Sequence, residues 1–332
     1  MLHTPICDYF GIKYPIVLAG MGGVAMHKLV AAVSNAGGLG VIGAASLSPE
    51  QLRAEIRRTR ELTDKPFAVD LLAPIPDMMR PHMPVLIEEK VRIFVAGLAV
   101  PGEFIKTMHE HGMKVAVMCG KVHHGEKAQD AGADVVVAQG TEAGGHTGEI
   151  GMISLVPQML RAVKLPVLAA GGIAHGSQIA AALTLGAQGV VIGTRFIATP
   201  EAQAAHSYRE SIVKARDDAT MRTRCYTGKP CRVIRTQYAL EWERDPSKIQ
   251  PFPIQAQISQ RNGVMGFAGL GGEDADPNRT FMPTGQSAGL IREIKPAAEV
   301  FADLIRETEA ALRGAQSLLA DGDARHSAAP MR

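Results

Sequence analysis

The chain has 332 residues, enough to bury one large core with at most a small appendage. Hydrophobic residues make up 46% and charged residues 20%, and 35 Lys+Arg stand against 33 Asp+Glu for a formal charge of +2. With aromatics at 5% and no long basic run, nucleic acid is excluded as a partner, because neither base stacking nor a phosphate-tracking groove is supported. No stretch reaches the length of a membrane span, so the expected partner is a small molecule and no membrane.

The four cysteines, Cys7, Cys119, Cys225 and Cys231, show no paired CxxC spacing. That argues against a disulfide framework or a zinc site, and no metal is expected. The first residues lack the charged start and apolar run of a signal peptide. The expected location is the reducing cytoplasm, with a homodimer considered as the assembly.

Short apolar runs alternate with longer amphipathic stretches along the chain, the pattern of βα units around a parallel sheet. Strands are expected at 15–19, 40–43, 66–70, 92–95, 114–118, 134–139, 166–170 and 189–192. Helices are expected at 28–36, 49–62, 85–90, 102–111, 121–131, 155–162, 177–185 and 201–215. Val135-Val136-Val137-Ala138 and Gly189-Val190-Val191-Ile192 are the continuous apolar runs of strands buried on both faces. Eight strands and eight crossovers within about 200 residues match a (β/α)8 TIM barrel. An open doubly wound sheet fits less well, because no GxGxxG follows the first strand.

From about Met221 to Asn278 the pattern breaks into turn-rich sequence, including 251–253 and 269–276, with one helical stretch near 236–244. The expected division is a TIM barrel over 1–220 and 279–314 and a small inserted lid domain over 221–278. An amphipathic helix near 297–313 precedes a flexible tail at 315–332.

The strongest chemical feature is Gln139-Gly140-Thr141-Glu142-Ala143-Gly144-Gly145-His146, which follows the sixth strand. In a barrel that loop lies on the active-site face, where Gly144 and Gly145 let backbone approach a flat ligand while His146 projects inward. A histidine there suits general acid–base work, and it outweighs a loop histidine that merely caps a carbonyl. Two glycine turns, Gly171-Gly172 after the seventh strand and Gly193-Thr194 after the eighth, stand where barrels place phosphate sites. A mononucleotide such as FMN is the natural occupant.

Ala19-Gly20-Met21-Gly22-Gly23 closes the first strand with few bulky side chains, and taken alone reads as a plain turn. Asp70 and Gln139 end the third and sixth strands, where they could bond a ring edge or hold loops. His123-His124 with Glu126 has metal-like density, but neighbours on a helix point apart, so a solvated face is the better reading. His175 precedes a helix, as an N-cap or a phosphate-side group. Met78, Met79 and Met83 could line an adaptable apolar pocket or fill a loop.

Together with 31–40, 63–67, 169–173 and 193–196, these residues resemble the nitronate monooxygenase family, which includes the FMN-dependent enoyl-ACP reductases. The resemblance runs from about Thr4 to Glu309. It implies non-covalent FMN, with Gly171, Gly172, Gly193 and Thr194 holding the phosphate and Met21, Gln139 and Gly144 near the ring or ribityl chain. Gly22, Asp70, Gly145 and Ile192 are counted with them, and His146 matches the catalytic histidine. The implied reaction is oxidation of alkyl nitronates with O2. The alternative is an NAD(P)H-dependent reductase of enoyl thioesters or quinones, with NADH or NADPH as co-substrate. This chain carries Asp70 where many relatives carry Asn. The best-defined nitronate oxidisers have an aromatic and histidine-containing stretch after the fourth strand, where this chain has Phe94-Val95-Ala96-Gly97. Gly193-Thr194-Arg195-Phe196 and Gly285-Gln286-Ser287-Ala288-Gly289 are more similar to the reductase branch. A third possibility, from outside enzymology, is a barrel that binds a phosphorylated ligand as a carrier or regulator.

Overall fold

The computed structural model describes residues 2–73, 76–265 and 276–319. Eight parallel strands form its centre: β1 (Ile16–Leu18), β2 (Gly40–Gly43), β3 (Phe67–Leu72), β4 (Ile93–Gly97), β5 (Lys114–Cys119), β6 (Val135–Gln139), β8 (Val167–Ala170) and β9 (Gly189–Ile192). They pair in the order β1-β9-β8-β6-β5-β4-β3-β2, and a parallel bridge from Val17 to Leu39 joins the two ends. The sheet is thus a closed (β/α)8 cylinder, as the alternation of apolar runs and helical stretches implies.

Two apolar layers follow from the two-residue repeat of a strand. Val17, Ala68, Val137, Leu168 and Val191 point inward and pack with Ile6 and Phe10 of the N-terminal helix Pro5–Phe10, which plugs the bottom. Their neighbours Leu18, Val69, Ala138, Ala169 and Ile192 point outward against the helices. The same parity sends Asp70 and Gln139 inward at the C-terminal rim.

A second sheet joins β7 (Gly145–His146), β10 (Thr220–Thr223) and β11 (Cys231–Ile234) in the order β10-β11-β7. Residues after β10 build a separate apolar cluster around Tyr226, Val233, Tyr238 and Phe281. The Tyr226 hydroxyl reaches Thr236 Oγ1 at 2.7 Å, and Thr236 caps the helix Gln237–Glu243 by accepting from the Ala239 amide. The helix Ala297–Gln316 returns to the barrel and packs against helices Gly176–Thr184 and His27–Asn35.

Several details differ from the sequence reading. The helix expected over 201–215 spans only His206–Val213, and a separate short helix at Thr194–Ile197 precedes it. Pro200 blocks helical continuation, and Gln203 donates its amide to the Val24 carbonyl instead. The glycine loop after β6 contains the two-residue strand β7. Met79 and Met83 are buried in the helical layer and do not line the barrel mouth. The side chain of Met78, the turn at 269–275 and the tail from 320 lie outside the described residues. Among the described residues no helix is long and apolar enough to cross a membrane.

Candidate active site

A cavity of about 290 Å³ opens at the C-terminal ends of the barrel strands and reaches down to Phe10. That is near the lower end of ligand pockets, which span roughly 300–1,000 Å³. Met21, Gly22, Asp70, Gln139, Gly144, Gly145, His146, Gly171, Gly172, Gly193 and Thr194 all line it. Ile192 does not, because strand parity turns its side chain into the outer helical layer, and its carbonyl accepts the Ala19 amide.

His146 is held from two directions. Its backbone pairs with Cys231 in the small sheet, while Thr147 Oγ1 donates to the Gly140 carbonyl at 2.9 Å. Arg232, a buried residue of β11, donates through Nε to the Thr141 carbonyl at 2.9 Å and fastens the same loop. The imidazole Nε2 lies 3.0 Å from Thr227 Oγ1. That hydroxyl can donate to the Lys229 carbonyl at 3.2 Å and accepts the Lys229 amide at 3.3 Å. With its proton directed to the carbonyl, it accepts from an Nε2–H, and Nδ1 carries the free lone pair. Burial, aided by the positive charge of Lys229, pushes the imidazole pKa down to about 4. The ring is therefore neutral at physiological pH.

The glycine turns owe their shape to left-handed backbone. Gly171 has φ 104° and Gly172 has φ 71°, and a Cβ on Gly172 would lie 2.9 Å from Glu142 Cβ. Only glycine meets both conditions without strain. Gln178 braces the turn, donating to the Gly172 carbonyl and accepting the Ala174 amide at 2.9 Å. His175 is the N-cap of the Gly176–Thr184 helix, accepting the Ser177 amide through Nδ1 at 3.1 Å. At the neighbouring turn, Thr194 Oγ1 accepts the Gly285 amide at 3.0 Å, and Gln286 donates its amide to the Glu142 carbonyl at 2.9 Å. The 283–287 segment thereby ties the histidine loop to the eighth barrel strand.

Asp70 is 8% exposed at the end of β3. A Cβ on Gly20 would collide with its carboxyl, and one on Gly97 would lie 3.4 Å from Oδ1. No donor or cation among the described residues pairs with it, and burial alone raises its pKa well above the usual carboxylate range. Beside it Leu98 lines the cavity with φ 66°, a left-handed conformation uncommon outside glycine.

Elsewhere, the rings of His123 and His124 lie 4.2 Å apart, away from the cavity. Among the described residues no three His, Cys, Asp or Glu side chains gather as a metal site. Sequence alone gives Thr227, Lys229 and the 283–287 segment no place beside His146. Their link to His146 is purely spatial, and the one available signal was the Gly285-Gln286-Ser287 turn.

The family described as nitronate monooxygenase matches residues 3–84 and 80–307. A (3aS,4S,5R,7aS)-5-hydroxy-7a-methyl-1-oxo-octahydro-1H-indene-4-carboxyl-CoA dehydrogenase of Rhodococcus jostii is 40% identical over 71% of this chain and 66% of its own length. FabK from Thermotoga maritima superposes with TM-score 0.88 at 37% identity, covering 96% of this chain and all of that one (100%). A nitroalkane oxidase from Streptomyces ansochromogenes superposes with TM-score 0.84 at 30% identity, covering 94% and 99%.

Proposed function

The chain belongs to the nitronate monooxygenase family and is an oxidoreductase, and from that premise we propose that it holds FMN and oxidises alkyl nitronates with O2. One observation carries this reading: His146, Asp70 and both glycine turns face a single cavity at the barrel rim. The donor set fits a mononucleotide. Left-handed glycines at 171 and 172 leave room for a phosphate beside backbone amides, with the Gly193–Thr194 turn after the adjacent strand beside them. Met21, Gly22, Gly144 and Gly145 present little bulk to a flat ring, and Gln139 offers an amide at its edge.

Bound FMN would supply the electron transfer. The chain's own residues bind, orient and manage the proton. His146, neutral and fixed by Thr227, offers the Nδ1 lone pair to the substrate as base or orienting group. Lys229 adds positive charge that favours an anionic nitronate. The Phe281 and Pro283 side of the small sheet covers the mouth and limits water. In this reading the 221–278 segment acts as the lid of the barrel.

Likeness to a CoA-thioester dehydrogenase supports a second reading, in which NADH or NADPH reduces FMN and an enoyl thioester takes the electrons. Anaerobic mixing of the yellow protein with NADH or NADPH separates the two. Nitrite release from a nitronate in air without anaerobic bleaching by either nucleotide supports the monooxygenase. Rapid bleaching supports the reductase. Protein that stays colourless after incubation with FMN rejects both.

A further inference from the structure

Asp70 is a carboxyl with nowhere to put its charge. It is 8% exposed, and the groups packed around it offer no compensation. From β2 comes Gly43, from β4 Val95 and Gly97, and from the first turn Gly20 and Met21, none of them titratable. Among the described residues lining the cavity, the other titratable side chains are His146 and Tyr208. Burial keeps the imidazole unprotonated and pushes the Tyr208 phenol upward, so neither is charged at neutral pH. An ionised carboxylate here would lack a counter-ion and any hydrogen-bond donor of the protein, an arrangement that costs several kcal/mol.

The fold nevertheless makes room for this side chain. Gly20 is small where the carboxyl lies against the first turn, and Gly97 is small on the other flank. The head group is thereby wedged at the rim of the cavity, beside the Met21 turn.

We propose that Asp70 works as a neutral carboxylic acid, donating one hydrogen bond to a carbonyl oxygen or ring nitrogen of the ligand across the barrel mouth. The proposal rests on the flavin reading above, since FMN is the ring that offers such acceptors there. A neutral acid supplies the O–H that the site otherwise lacks at that edge. It also ties ligand binding to pH, because raising the pH removes the donor and leaves an unpaired anion facing the ligand's acceptor.

The test has two arms on the full chain. Infrared difference spectra of ligand-free wild type against Asp70→Asn should show a protonated-carboxyl C=O band at neutral pH that the variant lacks. The absence of that band overturns the proposal whatever the cofactor. In the second arm the FMN dissociation constant is measured from mildly acidic to alkaline pH. Wild type should weaken by roughly tenfold per pH unit once Asp70 of the free protein begins to ionise. Asp70→Asn, which keeps a donor but cannot ionise, should show a flat profile. Tight, pH-independent FMN binding by wild type, or an equal slope in both proteins, overturns the donor role while leaving the flavin reading intact. A carboxyl band in a protein that refuses FMN sinks the flavin reading and leaves the neutral acid standing.

Discussion

His146 Nε2 lies 3.0 Å from Thr227 Oγ1, although the two residues stand 81 positions apart in the chain. The contact joins a loop of the barrel to a turn of the small sheet. Thr227 touches neither glycine turn, so it acts through the histidine as a positioning residue. Replacing it with Val removes the hydroxyl while keeping the branched shape. The expected loss in kcat/KM is about fivefold, corresponding to ~1 kcal/mol for one neutral hydrogen bond. Thr227→Ser should restore most of it. A merely structural role would lower melting temperature without moving the pH profile, whereas loss of the Nε2 partner should shift the acid limb.

His146→Ala should keep FMN and lose roughly 10²–10⁴-fold in turnover, the usual cost of removing a general acid or base. Flavin absorbance of the purified variant checks retention, and steady-state assays with a nitronate check the rate. A fully active variant would remove the imidazole from the chemistry.

Lys229 lowers the proton affinity of His146 and adds positive charge near it. Lys229→Met should therefore raise two quantities. The acid limb of kcat/KM, governed by a group near pH 4 in the free protein, should shift upward as the opposing charge disappears. KM for an anionic nitronate should rise about fivefold, the equivalent of ~1 kcal/mol of partly screened attraction. Unchanged values of both would show that Lys229 does not feel the substrate.

The Asp70 carboxyl also affects stability before any ligand binds. Its pKa is higher in the folded chain than in the unfolded one, so the unfolded state releases a proton that the native state retains. Stability from this group is complete below the ordinary carboxylate pKa, about 3.9, and declines as pH rises from there. The decline runs at ~1.4 kcal/mol per pH unit until the folded carboxyl itself ionises. Ligand-free Asp70→Asn should thus melt higher than wild type at neutral pH, with the gap closing in acid. Calorimetry at two pH values decides it, and a gap that widens in acid would contradict the sign.

The barrel was legible because its signal is local and repeated. Val135–Ala138 and Gly189–Ile192 declare buried parallel strands by composition alone, and β6 and β9 lie there. The rim positions of Gln139, His146, Gly171 and Gly193 follow from strand ends and glycine turns. Strand parity was the missing step for Ile192, since assigning it to the cavity requires knowing which alternate residue faces inward. The failure at 201–215 is also physical: an Ala-rich stretch favours helix, but Pro200 and the hydrogen bond that the Gln203 amide donates to the Val24 carbonyl override that preference. Thr227 and Lys229 were illegible because nothing in a turn of Thr, Gly, Lys and Pro announces which distant loop it will meet. The pairing of Cys231 with His146 creates that encounter.

That pairing divides control of the protein between two parts of the polypeptide. The cylinder supplies the floor and the two glycine turns, while burial lowers the proton affinity of the imidazole and Lys229, in a hairpin outside the cylinder, lowers it further. Drift in the sequence between β10 and β11 can therefore retune acidity and substrate preference without disturbing the scaffold.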